Sequence, residues 1–163
     1  MRIHIGANSE GYRLATDLRG LLEADGHEVH WHAAPAYDEG DDYPGIVIRT
    51  VQAVVADEDA GLDSRAVLVG GTGAGEVIAG NKVNGGRIVS ATAAAYVADA
   101  RTHADINGLV IPAAHVSPDD ALGLVSTLVE TAFSNGLDDA RRLVNVAEFE
   151  TSGTIEGWMV EEA

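Results

Sequence analysis

The run Gly70-Gly71-Thr72-Gly73-Ala74-Gly75-Glu76 has the residue types and spacing to do chemistry. Four glycines let a chain turn sharply from a strand into a helix. They leave main-chain amides unpaired at a positive helix end, where an anion or a developing oxyanion can be held. Glu76 closes the turn with a group able to take up and return a proton. A carboxylate in the first turn of a helix is equally an ordinary partner of the helix dipole, so the residues alone leave both readings open. Two nucleotide motifs fail on spacing. Read from Gly71 or Gly73, the sixth place of G-x-G-x-x-G is Glu76 or Ile78, and Gly75 is followed by Glu76-Val77 rather than by Lys and Ser or Thr. NAD and ATP are therefore disfavoured.

Such a turn needs a scaffold, and the hydrophobic pattern supplies one. Short β-branched runs over 2–6, 27–31, 66–69, 87–90 and 108–111 read as strands. Helical-period segments follow them over 12–24, 45–56, 76–82, 92–103 and 119–133. Leu14, Leu18, Leu21 and Leu22, for example, share one helix face. Parallel neighbours need crossovers, and right-handed crossovers put helices on both faces, so the expectation is a doubly wound, three-layer α/β/α domain. Ligands bind such sheets beyond the strands' carboxyl ends, where strand order reverses. That rule nominates four segments: Ala7-Asn8-Ser9-Glu10, the Tyr43-Pro44 loop, the glycine turn, and the loops near His103 and Pro112. Residues 1–137 are expected to form this single domain. After the hinge Ser134-Asn135-Gly136, residues 138–163 are expected to be an appended helix and an acidic tail that pack on a partner subunit, with Trp158 and Met159 as anchors of the tail.

Composition narrows the partners. The 163 residues carry ten basic and 26 acidic groups, a net charge of -16, which repels a phosphate backbone and offers no cationic footprint. Nucleic acid and membrane surfaces are thus not expected partners. No apolar run approaches the ~20 residues of a spanning helix, and the first residues show no basic-then-apolar leader, so the expected location is cytoplasmic. The absence of Cys excludes disulfides, thiolate metal sites and a Cys nucleophile.

Four motifs in matching order carry a resemblance over about residues 1–150: Gly6-Ala7-x-x-x-Gly11-Tyr12, Asp41-Asp42-Tyr43-Pro44, the glycine turn with Asn81-Lys82 beyond it, and a late Arg141-Arg142 helix. Together they resemble the type B ribose-5-phosphate isomerase family, which includes the galactose-6-phosphate isomerase subunits. The resemblance implies a five-stranded parallel sheet in order 2-1-3-4-5, a homodimer or dimer of dimers with shared active sites, and no metal or organic cofactor. It also implies a reaction that interconverts aldose and ketose through a cis-enediolate. Members use either a Cys or the Glu that closes the turn as base, and this chain has only Glu76. Thr72 would pass a proton between substrate oxygens. The amides of Gly71, Gly73, Ala74 and Gly75 would hold the enediolate, each such donor being worth roughly 3 kcal/mol. His103 matches the ring-opening acid, Tyr43 lines the sugar, Asn8 and Ser9 meet its hydroxyls, and Arg141 belongs to the phosphate site. Without the resemblance, His103 reads equally as a helix C-terminal partner of the dipole.

The chain departs from the family pattern in four places. Asn8-Ser9 replaces Asp-His, Ala104-Asp105 replaces two Asn, the stretch around Ala113-Ala114 replaces Gly-Gly-Arg, and Asp138-Asp139 stands where Arg-His is usual. One unit charge pair at ~6 Å and an effective dielectric of about 20 is worth roughly 3 kcal/mol, so two carboxylates facing a phosphate would outweigh Arg141 and Arg142. Either these two Asp point to solvent or cap the helix, or the ligand has no phosphate there. Isomerisation of a sugar phosphate is the leading reading. An isomerase of an unphosphorylated sugar, and a non-catalytic sugar-binding or partner subunit, are the alternatives.

Overall fold

Successive side chains of a strand face opposite sides of a sheet, so a strand covered on both faces must be apolar throughout. In the computed structural model, which describes residues 1–155, β1 (Arg2–Ala7), β3 (Ser64–Gly70) and β5 (Gly108–Pro112) come closest to that condition: all their residues but Arg2 and Arg65 are buried, and the buried ones are apolar except for His4 and Ser64. β2 (Glu28–Trp31) and the three-residue β4 (Ile88–Ser90) are only partly buried. The all-parallel sheet accordingly runs β2-β1-β3-β5-β4, with the two poorer strands at its edges. This corrects the expected order 2-1-3-4-5: Gly108 opens β5 between Ala66 and Ile88, and a Cβ there would meet both side chains. The fold class, five parallel strands in a doubly wound α/β domain, is as expected.

Helix placement follows from right-handed crossovers. α1 (Tyr12–Ala24), α4 (Ala94–Ala104) and α5 (Pro118–Glu130) pack together on one face, and α2 (Tyr43–Asp59) and α3 (Ala74–Gly80) on the other. Alternate residues of β3 feed the two cores: Val67 and Val69 join Leu18, Val97 and Leu124, while Ala66 and Leu68 join Val47, Val51 and Val54. α2 begins earlier than the sequence suggested. The Asp42 side chain accepts from Tyr43 N at 2.8 Å and Pro44 sits in the first turn, so Tyr43 belongs to the helix rather than to a loop. α6 (Leu137–Ser152) follows the hinge and buries none of its residues fully. The proposed anchors Trp158 and Met159 lie outside the described residues.

On the α2 side of β1, a histidine cluster stands where an apolar residue would be usual. His4 pairs in register with His30 of β2, and their rings stack at 4.7 Å. A carboxylate only accepts, so His4 Nε2, 2.9 Å from Asp57 Oδ2, carries hydrogen, and the Nδ1 of the neutral ring accepts from His32 Nε2 at 2.8 Å. Burial, with repulsion from His4, His30 and Arg49, pushes His32 down to about 4. Burial likewise holds His4 below the ordinary imidazole value despite Asp57. A histidine whose folded pKa lies below its unfolded value of ~6.5 binds fewer protons when folded, so its stabilisation is complete above that pH and is lost toward pH 4. The urea midpoint should fall across this window. His32 should contribute about 1–2 kcal/mol once water screening of a partly exposed ring is allowed for. His32→Gln should flatten the fall; equal slopes in the two proteins would show that the ring is not held neutral.

Candidate active site

The glycine turn leaves β3 at the sheet's carboxyl edge, between β1, whose helix α1 lies on one face, and β5, whose helix α5 lies on that same face. α3, which follows the turn, goes to the opposite face. The strand end therefore opens at the topological switch. Neighbouring backbone clamps the turn: Gly70 O accepts from Ala113 N at 2.8 Å and Gly71 O from Ala114 N at 3.2 Å. Gly73 takes φ +79°, the left-handed region open to glycine, and a Cβ there would stand 2.8 Å from Val110 Cγ1. The first helical bond of α3 is Val77 N to Gly73 O, 3.1 Å. The amides of Gly75 and Glu76 thus lie in the unbonded first turn, and that of Ala74 has only a 3.5 Å contact with Thr72 Oγ1.

Glu76 is 5% exposed, and its carboxylate folds back over Gly70, where a Cβ would overlap Oε1. Glu76 lies in the first turn of α3, but no hydrogen bond joins its carboxylate to the Gly73 amide among the described residues, so it does not close a capping box. Tyr43 lies on the other side of the turn; a Cβ on Gly75 would stand 2.5 Å from its Cζ and 2.7 Å from its hydroxyl. Gly11 lets α1 start directly against β3, since a Cβ there would collide with Val69 O. Asn8 is buried, and its Oδ1 accepts from Gly11 N at 3.2 Å, so at least one end of its amide serves the backbone. Ser9 lines an adjoining groove of about 420 Å³ with Tyr12, Arg13 and Tyr37. Glu10, which lies in a nominated segment but was given no role, places its carboxylate 2.5 Å from where a Gly71 Cβ would be, on the opposite face of the turn from Glu76. Nothing in its spacing announces this, because only the direction of a long side chain brings it there.

His103 and Arg141 stand elsewhere. Helix α4 runs antiparallel to the strands, so its last turn, with His103, returns to the amino edge of the sheet. There Asn107, four residues on, pairs with Ala66. Ala66 and Gly70 are four strand residues apart, so the two ends of the site are separated by on the order of 15 Å along the strands. At that far end His103 Nδ1 lies 2.9 Å from Asp139 Oδ2 of α6. The two Asp that interrupt the family pattern therefore part ways. Asp138 is 78% exposed and pairs loosely with Arg141 at 3.6 Å, whereas Asp139 is 14% exposed and also binds Arg142 at 2.9 Å. One chain thus assembles Glu76, Thr72, Tyr43, Asn8, Ser9 and the glycine amides at one edge and His103, Arg141 and Asp139 at the other. A 260 Å³ cavity under α6, lined by Arg87, Leu143, Val144 and Glu150, belongs to the second edge and contains none of the turn.

Comparison with known proteins places this architecture in a class, the aldose–ketose isomerases built on a doubly wound sheet. Within it, the chain belongs to the ribose/galactose isomerase family, whose model matches residues 3–146. It is 35% identical over 150 residues to ribose-5-phosphate isomerase B of Mycobacterium tuberculosis, covering 92% of this chain and 90% of that one. It is 33% identical to the enzyme of the same name from Mycolicibacterium paratuberculosis, with 92% of each chain covered. Among solved structures, ribose-5-phosphate isomerase B of Clostridium thermocellum superposes with a TM-score of 0.83 at 31% identity, over 94% of this chain and all of that one.

Proposed function

We propose that this isomerase interconverts an aldose phosphate and the corresponding ketose phosphate through a cis-enediolate, with Glu76 as the base. Glu76 takes the proton from C2 of the open-chain aldose, the electron pair forms the C1=C2 bond, and negative charge develops on O1. Thr72 moves a proton between O1 and O2, and Glu76 returns its proton to C1. The amides from Gly73 to Gly75 meet the developing oxyanion, and Tyr43 and Ser9 line the sugar. The observation that carries this reading is the burial of the Glu76 carboxylate over Gly70, beside the free amides of the turn.

Ring opening falls to His103, and the phosphate to Arg141. These groups reach Glu76 only when a second copy brings its α4–α6 end to the glycine turn, which is the reason for proposing a dimer with shared sites. Leu137, Val144, Val146 and Phe149 of α6 are more than half exposed, an apolar content suited to such packing. Sedimentation should give about twice the 16.9 kDa chain mass; a monomer would leave the site without its acid.

A second reading has its own support. Arg141 and Arg142 are each paired with a carboxylate one turn earlier, which offsets their attraction for phosphate and favours an unphosphorylated sugar. Incubating the protein in D2O with ribose 5-phosphate, ribose and their ketose partners, and following loss of the aldose C2 proton by NMR, tests both. Exchange in the phosphate ester supports the first reading and exchange confined to ribose the second. No exchange in any sugar supports the non-catalytic alternative.

A further inference from the structure

The end of α4 is built to hold His103 still. Arg101, 3% exposed, donates to Thr131 O at 3.1 Å, Ile106 O at 2.6 Å and Asp105 Oδ1 at 2.7 Å, and Ser134 N reaches Thr102 O at 2.9 Å. Onto this fixed turn α6 brings Asp139. Its Oδ2 accepts from His103 Nδ1 at 2.9 Å and from Ser134 Oγ at 3.2 Å, and its Oδ1 accepts from Arg142 at 2.9 Å. The carboxylate is nearly buried while the imidazole is 63% exposed. Asp139 lies in the first turn of α6, but the N-cap amide of Gly136 donates to Ser134 Oγ at 3.1 Å rather than to this carboxylate, which leaves both its oxygens to the partners above.

We propose that Asp139 is a positioning residue that fixes the tautomer and orientation of His103, so that Nε2 is the one ring nitrogen that exchanges a proton with the sugar; this rests on the isomerase reading above. A carboxylate offers only acceptors, so the hydrogen must sit on Nδ1, and Nε2 has no hydrogen bond among the described residues. Opening a furanose breaks C1–O4 and puts that electron pair and a proton on O4, while O1 loses its proton as the C1 carbonyl forms. Nε2 receives the proton from O1 and delivers one to O4, with Asp139 compensating the imidazolium between the two transfers. The His103 bond is also the largest of the influences holding the Asp139 carboxyl below the usual range; Ser134 and the charge of Arg142 act in the same direction, against desolvation.

The test compares Asp139→Ala and Asp139→Asn with the wild type, using long-range proton–nitrogen NMR of histidine-labelled protein and kinetics on two substrates. Ribose 5-phosphate closes to a furanose; erythrose 4-phosphate cannot, because its O4 carries the phosphate. In the wild type His103 should be a single Nδ1–H tautomer. Asp139→Ala should give a tautomer mixture and lower kcat on ribose 5-phosphate by ~10-fold or more, with a several-fold smaller loss on erythrose 4-phosphate. Asp139→Asn, which keeps an acceptor and the shape, should keep the tautomer and recover part of the rate. An unchanged tautomer in Asp139→Ala, or equal losses on the two sugars, would overturn the proposal. A wild type inert toward both sugars would instead sink the isomerase reading and the ring-opening role with it, while the NMR result separately upholds or removes the Asp139–His103 pair.

Discussion

Glu76→Gln is expected to leave the fold and oligomeric mass unchanged and to abolish exchange of the substrate C2 proton. Glutamine matches the size of glutamate and can occupy the same space over Gly70, but it cannot accept a proton from carbon. The expected loss in kcat is on the order of 1,000-fold, within the range attributed to a positioned general base. KM should move little, because the sugar meets the glycine amides, Tyr43 and Ser9 rather than the carboxylate alone. Residual exchange above a tenth of the wild-type rate would remove Glu76 from the role of base and leave Glu10, on the other face of the turn, as the next carboxylate to test.

The second large effect is expected from a single added methyl group. In Gly70→Ala the new Cβ falls where Glu76 Oε1 now lies. What must give way is the far end of a flexible side chain, so the backbone can stay and stability should remain within about 1 kcal/mol of wild type. The carboxylate, however, must swing out by an ångström or more, and a misplacement of that size costs about 100-fold in rate. Thermal unfolding and C2 exchange measured on the same preparation check both halves. Full activity would show that Glu76 works from another position. Gly11→Ala is the contrasting case: its Cβ runs into Val69 O, which is backbone, and should destabilise the whole domain.

Much of the architecture was legible because the relevant signals are local. Alternating strand and helix periods extend over about ten residues each and can be read directly from the chain. The Asp42-Tyr43-Pro44 helix start is likewise local, with Asp42 as its cap and Pro44 in its first turn. The glycine turn was also legible, since Gly70, Gly73 and Gly75 are demanded by a carboxylate, a left-handed φ and an aromatic ring pressed against the same short segment.

The chain by itself therefore determined the doubly wound class, the turn and the acid that closes it. Tertiary structure alone decided that β5 rather than β4 takes the inner place, because that choice depends on Gly108 leaving room for Ala66 on one side and Ile88 on the other, a contact between distant segments. It also decided that His103 meets Asp139, 36 positions away, and stands at the opposite edge of the sheet from Glu76. Such pairings have no period or spacing to reveal them. They arise from the direction in which a helix crosses back over the sheet and from the side chains that packing leaves facing one another.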